Sequence, residues 1–343
     1  MVNLFEKTGY ADIKSILAFA SGRNLRHVFI VGGRGTGKTF GALNYAYVND
    51  KKFLLLRRRQ KQIDSFSNDV KNPLRPVAEF HGENVTAIKT DGDTFFYKAE
   101  EDEKQKGKLN PYGAPIGFAA CATSSNSRGF AFGKLDLIIY DEFIPERSDK
   151  RIKAEAEALL HVLETVDRNA ETPVLFLANA MDMRNAIYRY LNLVDVAEEM
   201  ERKRQVYKIL EEKSVLMIHL YDSPISKKKS QNALYKLTGG TDFYDMSIGN
   251  AFAFETKDKI KSYPLKEFAA LVEVGTITIL QHKSLGAYYC ISKTGMCKKK
   301  FGNSDIEILR FRSEFPDLYE EFIFGEMYFD RYSTQTAFED IFR

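Results

Sequence analysis

Val28-Phe29-Ile30-Val31-Gly32-Gly33-Arg34-Gly35-Thr36-Gly37-Lys38-Thr39-Phe40 is the stretch that decides the fold. Its first four residues are a continuous apolar run, as in a buried strand, and Lys38 to Val48 have good helix character. Between them the octet from Gly32 to Thr39 fits G-x-x-x-x-G-K-[ST]. Glycines let backbone N–H groups turn inward around phosphates, and the helix that follows offers its N-terminal dipole to them. Lys38 is placed to give a point charge to β- and γ-phosphates, and the Thr39 hydroxyl to hold Mg2+. A glycine-rich turn alone does not require a strand before it and a helix after it. The expected nucleotide contacts, to ATP, are Gly33, Arg34, Gly35, Thr36, Gly37, Lys38, Thr39 and Phe40.

A second motif completes the chemistry. Leu135-Asp136-Leu137-Ile138-Ile139-Tyr140 is another buried run, and it delivers Asp141 and Glu142 to its C-terminal end. Open α/β sheets bind ligands at that end. Asp141 is expected to share the magnesium with Thr39, and Glu142 to act as the base that polarises an attacking water. An acid directly after the metal ligand favours an ATPase over a small GTPase or a nucleoside kinase. Asn179 closes the next apolar strand, Val174 to Ala178, where an amide can either touch the γ-phosphate or start a turn. Arg168 lies between that strand and the preceding helix and can either reach a neighbouring subunit's γ-phosphate or stay on the surface. Of Arg57, Arg58 and Arg59, one or two can face the nucleotide or a neighbour, since a strand cannot point three successive side chains one way.

Outward from these motifs, short buried strands alternate with helices, which implies an α/β fold with a mainly parallel sheet covered on both faces. Asp91-Gly92 between Val85–Lys89 and Thr94–Lys98 marks a hairpin. The 343 residues suggest more than one core. We divide the chain into a nucleotide-binding domain at 1–195, a linker or lid at 196–240, and a strand-rich, aromatic C-terminal domain at 241–343. Net charge is only +3, so nucleic-acid binding requires local clusters such as Lys227-Lys228-Lys229 and Lys298-Lys299-Lys300. Cys121, Cys290 and Cys297 have no metal-type spacing, and no apolar run approaches a bilayer span, so a soluble intracellular protein with no membrane partner is expected.

The chain resembles the DNA-packaging ATPases of short-tailed phages of the phi29 type, in the additional-strand division of P-loop ATPases. The residues that carry the resemblance are Phe29 to Lys38, Leu54-Leu55-Leu56-Arg57-Arg58, Ile139 to Ile144, Thr165-Val166-Asp167-Arg168-Asn169 and Leu177-Ala178-Asn179-Ala180. Asp245 to Asn250 and Tyr328-Phe329-Asp330-Arg331 add to it near the C-terminus. The resemblance implies Mg-ATP hydrolysis that drives double-stranded DNA into a preformed capsid. It implies a homo-oligomeric ring, a pentamer, docked on the capsid portal in the cytoplasm of an infected bacterium, with a structural RNA in some relatives. It makes Arg168 a trans-acting arginine finger, and leaves Gln60 and Lys61 as alternative counterparts of a lysine after the arginine pair. It also implies a smaller α+β C-terminal domain, RNase H-like and without working nuclease acids.

Two rival readings share the same core. A helicase or partition-type ATPase would separate or segregate DNA strands, and a terminase would cut them. Cutting needs aspartates converging on two metals, whereas Asp258, Asp305, Asp317 and Asp330 are scattered in sequence.

Overall fold

The computed structural model describes residues 2–342 apart from 124–132, 146–148, 150–151, 169–170, 181–182, 184, 222, 242–243, 245–247 and 249–258. Asn169, Asp258 and all of the Asp245–Asn250 motif except Ile248 therefore lie outside the described residues. The chain forms two units, one of Met1–Tyr190 with Met200–Ala253 and one of Leu191–Glu199 with Phe254–Arg343.

The strands of the first unit are β1 (His27–Gly32), β2 (Phe53–Arg57), β3 (Asn84–Thr90), β4 (Asp93–Glu101), β5 (Leu109–Cys121), β6 (Leu137–Asp141), β7 (Val174–Asn179), β8 (Tyr207–Leu210) and β9 (Val215–His219). They make one sheet in the order β3-β4-β5-β2-β6-β7-β1-β9-β8. From β5 through β9 every pairing is parallel, and the two edges are closed by antiparallel β3–β4 and β8. Helices α1 (Ile13–Ser21), α2 (Lys38–Val48), α3 (Gln60–Asp64), α4 (Arg75–Phe80), α5 (Glu155–Val166), α6 (Ala186–Tyr190), α7 (Val194–Lys203), α8 (Pro224–Lys229) and α9 (Ala233–Leu237) occur before, between or after the strands.

The unbroken apolar runs follow from burial on both faces, because alternate side chains of a strand point opposite ways. On one face Val28, Ile30, Leu137, Ile139, Leu175 and Leu177 join Ile16, Leu17, Ala42 and Leu43 of α1 and α2. On the other, Phe29 stacks on Phe176 with ring centroids 4.1 Å apart, and Phe143, Tyr140 and Tyr188 pack around the pair edge-on or tilted. Such aromatic pairs add roughly 0.5–1.5 kcal/mol each beyond the area they bury.

The hairpin turn forms where expected: Asp91 and Gly92 both take positive φ, 50° and 93°, as the favoured two-residue hairpin turn demands. Two expectations need correction. The segment 196–240 is not a separate linker or lid throughout, since β9 pairs in parallel with β1 at the centre of the first unit and β8 completes that edge. Val215–Tyr221 reads as a strand in the sequence, whereas the charges of α7 and the half-buried character of β8 hide β8 and the pairing of both with this sheet. Conversely, Leu191–Glu199 groups with the C-terminal unit, where Glu198 accepts a hydrogen bond from the Tyr332 backbone N–H at 3.0 Å.

The second unit has the strands β10 (Phe268–Val274), β11 (Ile277–His282), β12 (Tyr288–Ile291), β13 (Lys300–Phe301) and β14 (Met327–Phe329), in the order β13-β10-β11-β12-β14. β10, β11 and β12 are an antiparallel meander, with β13 parallel to β10 and β14 parallel to β12. Helices Asp305–Glu314, Asp317–Phe324 and Tyr332–Ile341 contribute Phe311, Leu318, Phe338 and Ile341 to its main core. Among the described residues of the chain, no helix is long and apolar enough to cross a membrane, and all three cysteines are free and buried.

Candidate functional site: a phosphate loop facing an acid pair

β1 ends at Gly32 and α2 begins at Lys38, so the loop between them bends at the C-terminal edge of the sheet. Two positions need glycine. Gly35 and Gly37 have φ of 69° and 84°, in the left-handed region that strains other residues. A Cβ on Gly37 would also lie 2.9 Å from the Tyr10 ring. Thr36 Oγ1 donates to the Gly33 carbonyl at 3.0 Å, and the Thr36 carbonyl accepts from Ala11 N, which holds the loop from outside.

Lys38 is buried, and its ammonium donates to the carbonyls of Gly32 (3.0 Å) and Gly33 (2.9 Å), to Thr36 Oγ1 (3.2 Å) and to Asn179 Oδ1 (3.4 Å). Burial lowers its pKa to about 7, Lys229 adds to that lowering, and Asp141 opposes it. A buried cation this ready to lose its proton gains from an incoming phosphate. Asn179, at the end of β7, is thus beside the lysine.

Thr39 Oγ1 lies 2.9 and 3.1 Å from the two carboxylate oxygens of Asp141. Burial raises the Asp141 pKa, and Arg57 partly counters it. The Arg57 guanidinium spans both acids, 2.8 Å from Asp141 and 2.5 Å from Glu142. Burial works against the Arg57 charge, and the two carboxylates outweigh it, so that charge is held more firmly than usual. Glu142 also accepts from Gln62 Nε2 at 2.9 Å. Its backbone φ of 59° is unusual for a residue with a Cβ, and such strain collects at functional sites.

Gly35, Thr36, Gly37, Lys38, Thr39, Phe40, Asp141, Glu142, Ala178 and Asn179 line one open cleft. Gly33 and Arg34 belong to the loop without lining it. Phe40 is 39% exposed at the rim and meets Phe80 edge-to-face. Gln62, which sequence reasoning missed, reaches Glu142 from α3, a five-residue helix with no motif to announce it.

Arg168 is not brought to this cleft. Its neighbour Asp167 accepts from Thr172 N and acts electrostatically on His27, the first residue of β1. Arg168 is therefore exposed near the strand N-termini, with His161, Glu164 and Thr165 around it. The six residues of β7 separate it from the phosphate edge, a span of about 20 Å. Within one chain it cannot serve the loop.

Of the basic runs, Lys227 and Lys228 are exposed, but Lys229 turns to the phosphate loop and donates to the Arg34 carbonyl at 2.5 Å. Lys299 pairs with Glu314 and Lys300 with Glu273. Gln60 donates to Asp64 at 3.0 Å and Lys61 is exposed. Among the described residues, no three His, Cys, Asp or Glu side chains are grouped to hold a metal.

β7 lies between β1, which carries the phosphate loop, and β6, which carries the acids. That intervening strand, with an acid following Asp141, defines the additional-strand class of P-loop α/β proteins. The sequence model of the Podovirus DNA encapsidation protein (Gp16) matches residues 7–278, and the chain belongs to that family. The fold is similar to a chain of the bacteriophage Phi-29 viral genome packaging motor assembly, at a TM-score of 0.64 and 19% identity over 99% of both chains. It is also similar to the Phi-28 gp11 DNA packaging motor, at a TM-score of 0.55 and 20% identity, covering 89% of this chain and 90% of that one. No match to a curated protein sequence is found.

Proposed function

We propose that the chain binds Mg-ATP in this cleft and hydrolyses it to drive double-stranded DNA into a phage capsid, working in a homo-oligomeric ring at the portal. The observation that carries the reading is the placement of Lys38, Thr39, Asp141 and Glu142 around one cleft in a member of a DNA encapsidation family. Lys38 and the Gly35–Thr39 amides suit the phosphate chain.

The residues also fit a magnesium ion. Thr39 Oγ1 and Asp141 Oδ2 are 2.9 Å apart, about the separation of adjacent oxygens on an octahedron with Mg–O of roughly 2.0–2.1 Å. Such an ion would neutralise charge developing on the phosphates. Glu142 is the base that takes a proton from the attacking water. Arg57 and Gln62 fix its carboxylate from two directions, so its aim depends on both partners.

Arg168 cannot reach its own cleft, so a catalytic role for it requires a neighbouring copy. We read it as a finger supplied in trans, in a ring where each site is completed by the next subunit. We read Lys227, Lys228 and Lys298 as candidates for sequence-independent contact with the DNA backbone. A portal partner, with a structural RNA in addition, belongs to the same reading. The β10–β12 meander with β13 parallel to β10 supports reading the C-terminal unit as an RNase H-type domain that does not cut.

The test is Glu142→Gln. Mg-ATP binding should remain within about threefold, while phosphate release by the assembled motor falls at least about 100-fold and DNA packaging stops. Packaging at the normal rate would refute the reading, and DNA unwinding by the purified chain would redirect it to a helicase.

A further inference from the structure

α8 is one turn and a half of helix that the hydrolysis chemistry does not use, yet it is fastened across the outside of the phosphate loop. Pro224 packs on Gly9 so closely that a Cβ there would lie 2.9 Å away, and Ser223 Oγ donates to the Gly9 carbonyl at 3.3 Å. The next residues of that N-terminal segment, Tyr10 and Ala11, touch the loop at Gly37 and Thr36. At the other end of α8, Lys229 donates to the Arg34 carbonyl, and a Cβ on Gly35 would come within 2.0 Å of its Nζ. The loop is thus held from outside at three successive points, 34–35, 36 and 37. The first contact alone comes from a charged side chain.

We propose that Lys229 is a positioning residue of the nucleotide site. Its ammonium grips the Arg34 carbonyl, fixes the left-handed turn at Gly35, and so keeps the following amides aimed inward at phosphate. This rests on the nucleotide reading above. In a phosphate loop the amides point to the ligand and the carbonyls away from it, so a cation on an outward carbonyl stabilises the receptive form without touching the phosphates. A charge-assisted bond of this kind is about twice as strong as a neutral one. The Gly35–Thr39 amides, which Lys229 keeps aimed, serve the phosphates that ATP and ADP share, so the effect falls on both nucleotides alike.

The experiment compares the full chain with Lys229→Met and Lys229→Arg, using methylanthraniloyl-labelled ATP and ADP with Mg2+ and thermal melting as a check on folding. The methionine keeps the stem and removes the donor, and should weaken both nucleotides by a similar factor of about 5–10 with an unchanged melting temperature. The arginine can still donate to the carbonyl and should stay within about twofold. In the unmodified chain, bound nucleotide should also slow acetylation of Lys229 by an amine-reactive ester, read by mass spectrometry. Unchanged affinities in Lys229→Met would overturn the proposal, and so would a loss confined to ATP, which would mean direct contact with the terminal phosphate. If the folded, unmodified chain bound neither nucleotide, the nucleotide reading itself would fail instead.

Discussion

Arg57 and Arg58 are consecutive residues at the end of β2, and they connect two different regions of the molecule. Arg57 faces the cleft, where it bridges Asp141 and the half-exposed Glu142. Arg58 turns to the opposite side, where it is 3% exposed and grips both carboxylate oxygens of Glu155 at 2.5 and 2.8 Å. Tyr140 donates to the same carboxylate at 3.1 Å. One guanidinium thus sits between groups that a ligand can rearrange, and the other in a mostly buried network that also reaches the exposed Asp149 at 3.3 Å. The pleat of a strand, which alternates sides residue by residue, is what separates the two.

The strongest way to break this comparison is to remove the core-facing arginine. Arg58→Met should cost about 3–5 kcal/mol in urea denaturation, because Glu155 is left as an uncompensated buried charge. Adding Glu155→Met should return more than half of it. Arg57→Met should cost less than half as much as Arg58→Met, about 1–2 kcal/mol, because Glu142 can turn to solvent and the buried Asp141 keeps its Thr39 hydrogen bond and the nearby Lys38 charge. Its phosphate release should nevertheless drop at least about tenfold. Equal losses of stability in the two variants would show that the cleft side is as much a structural network as the core side.

The smallest effect sharpens the same contrast in the C-terminal unit. Glu198 is a half-buried carboxyl; burial raises its pKa to about 6, against the lowering pull of the Tyr332 N–H and the nearby Arg331 charge. A carboxyl raised in the folded state lends stability that is full below its ordinary value near 4.5 and lost as pH rises through 6. Glu198→Gln should therefore raise the melting temperature at pH 8 by about 1–3 °C and leave it unchanged at pH 4.5. An equal shift at both pH values would mean that charge plays no part.

What could be read from the sequence follows from how local each signal is. The phosphate loop and the acid pair are contiguous motifs, each set in an apolar run, so the strands β1, β6 and β7 and the residues at their ends were legible. The sharing of roles among Arg57, Arg58 and Arg59 was not, because the phase of the pleat depends on where the strand starts. β5 was missed because Pro111, Gly113 and Pro115 lie in its exposed first half, at an antiparallel edge. Lys229 was grouped with its neighbours as a DNA contact, since nothing in a run of three lysines says that the third turns inward. Gln62 and the outer supports of the loop are contacts between segments far apart in sequence, which leave no periodic trace.

The place of β7 has a consequence for distances. Neighbouring strands are about 4.8 Å apart, so one interposed strand puts the backbone that carries Glu142 roughly 10 Å from the one that carries the loop. That gap is wide enough for a terminal phosphoryl group and a water in line behind it, and Asn179 stands at its midpoint. β7 is registered residue by residue against both flanking strands, Leu175 opposite Phe29's neighbour Val28 on one side and Ile139 on the other. The width of the gap is therefore set by main-chain hydrogen bonds, which side-chain substitutions around the cleft leave in place.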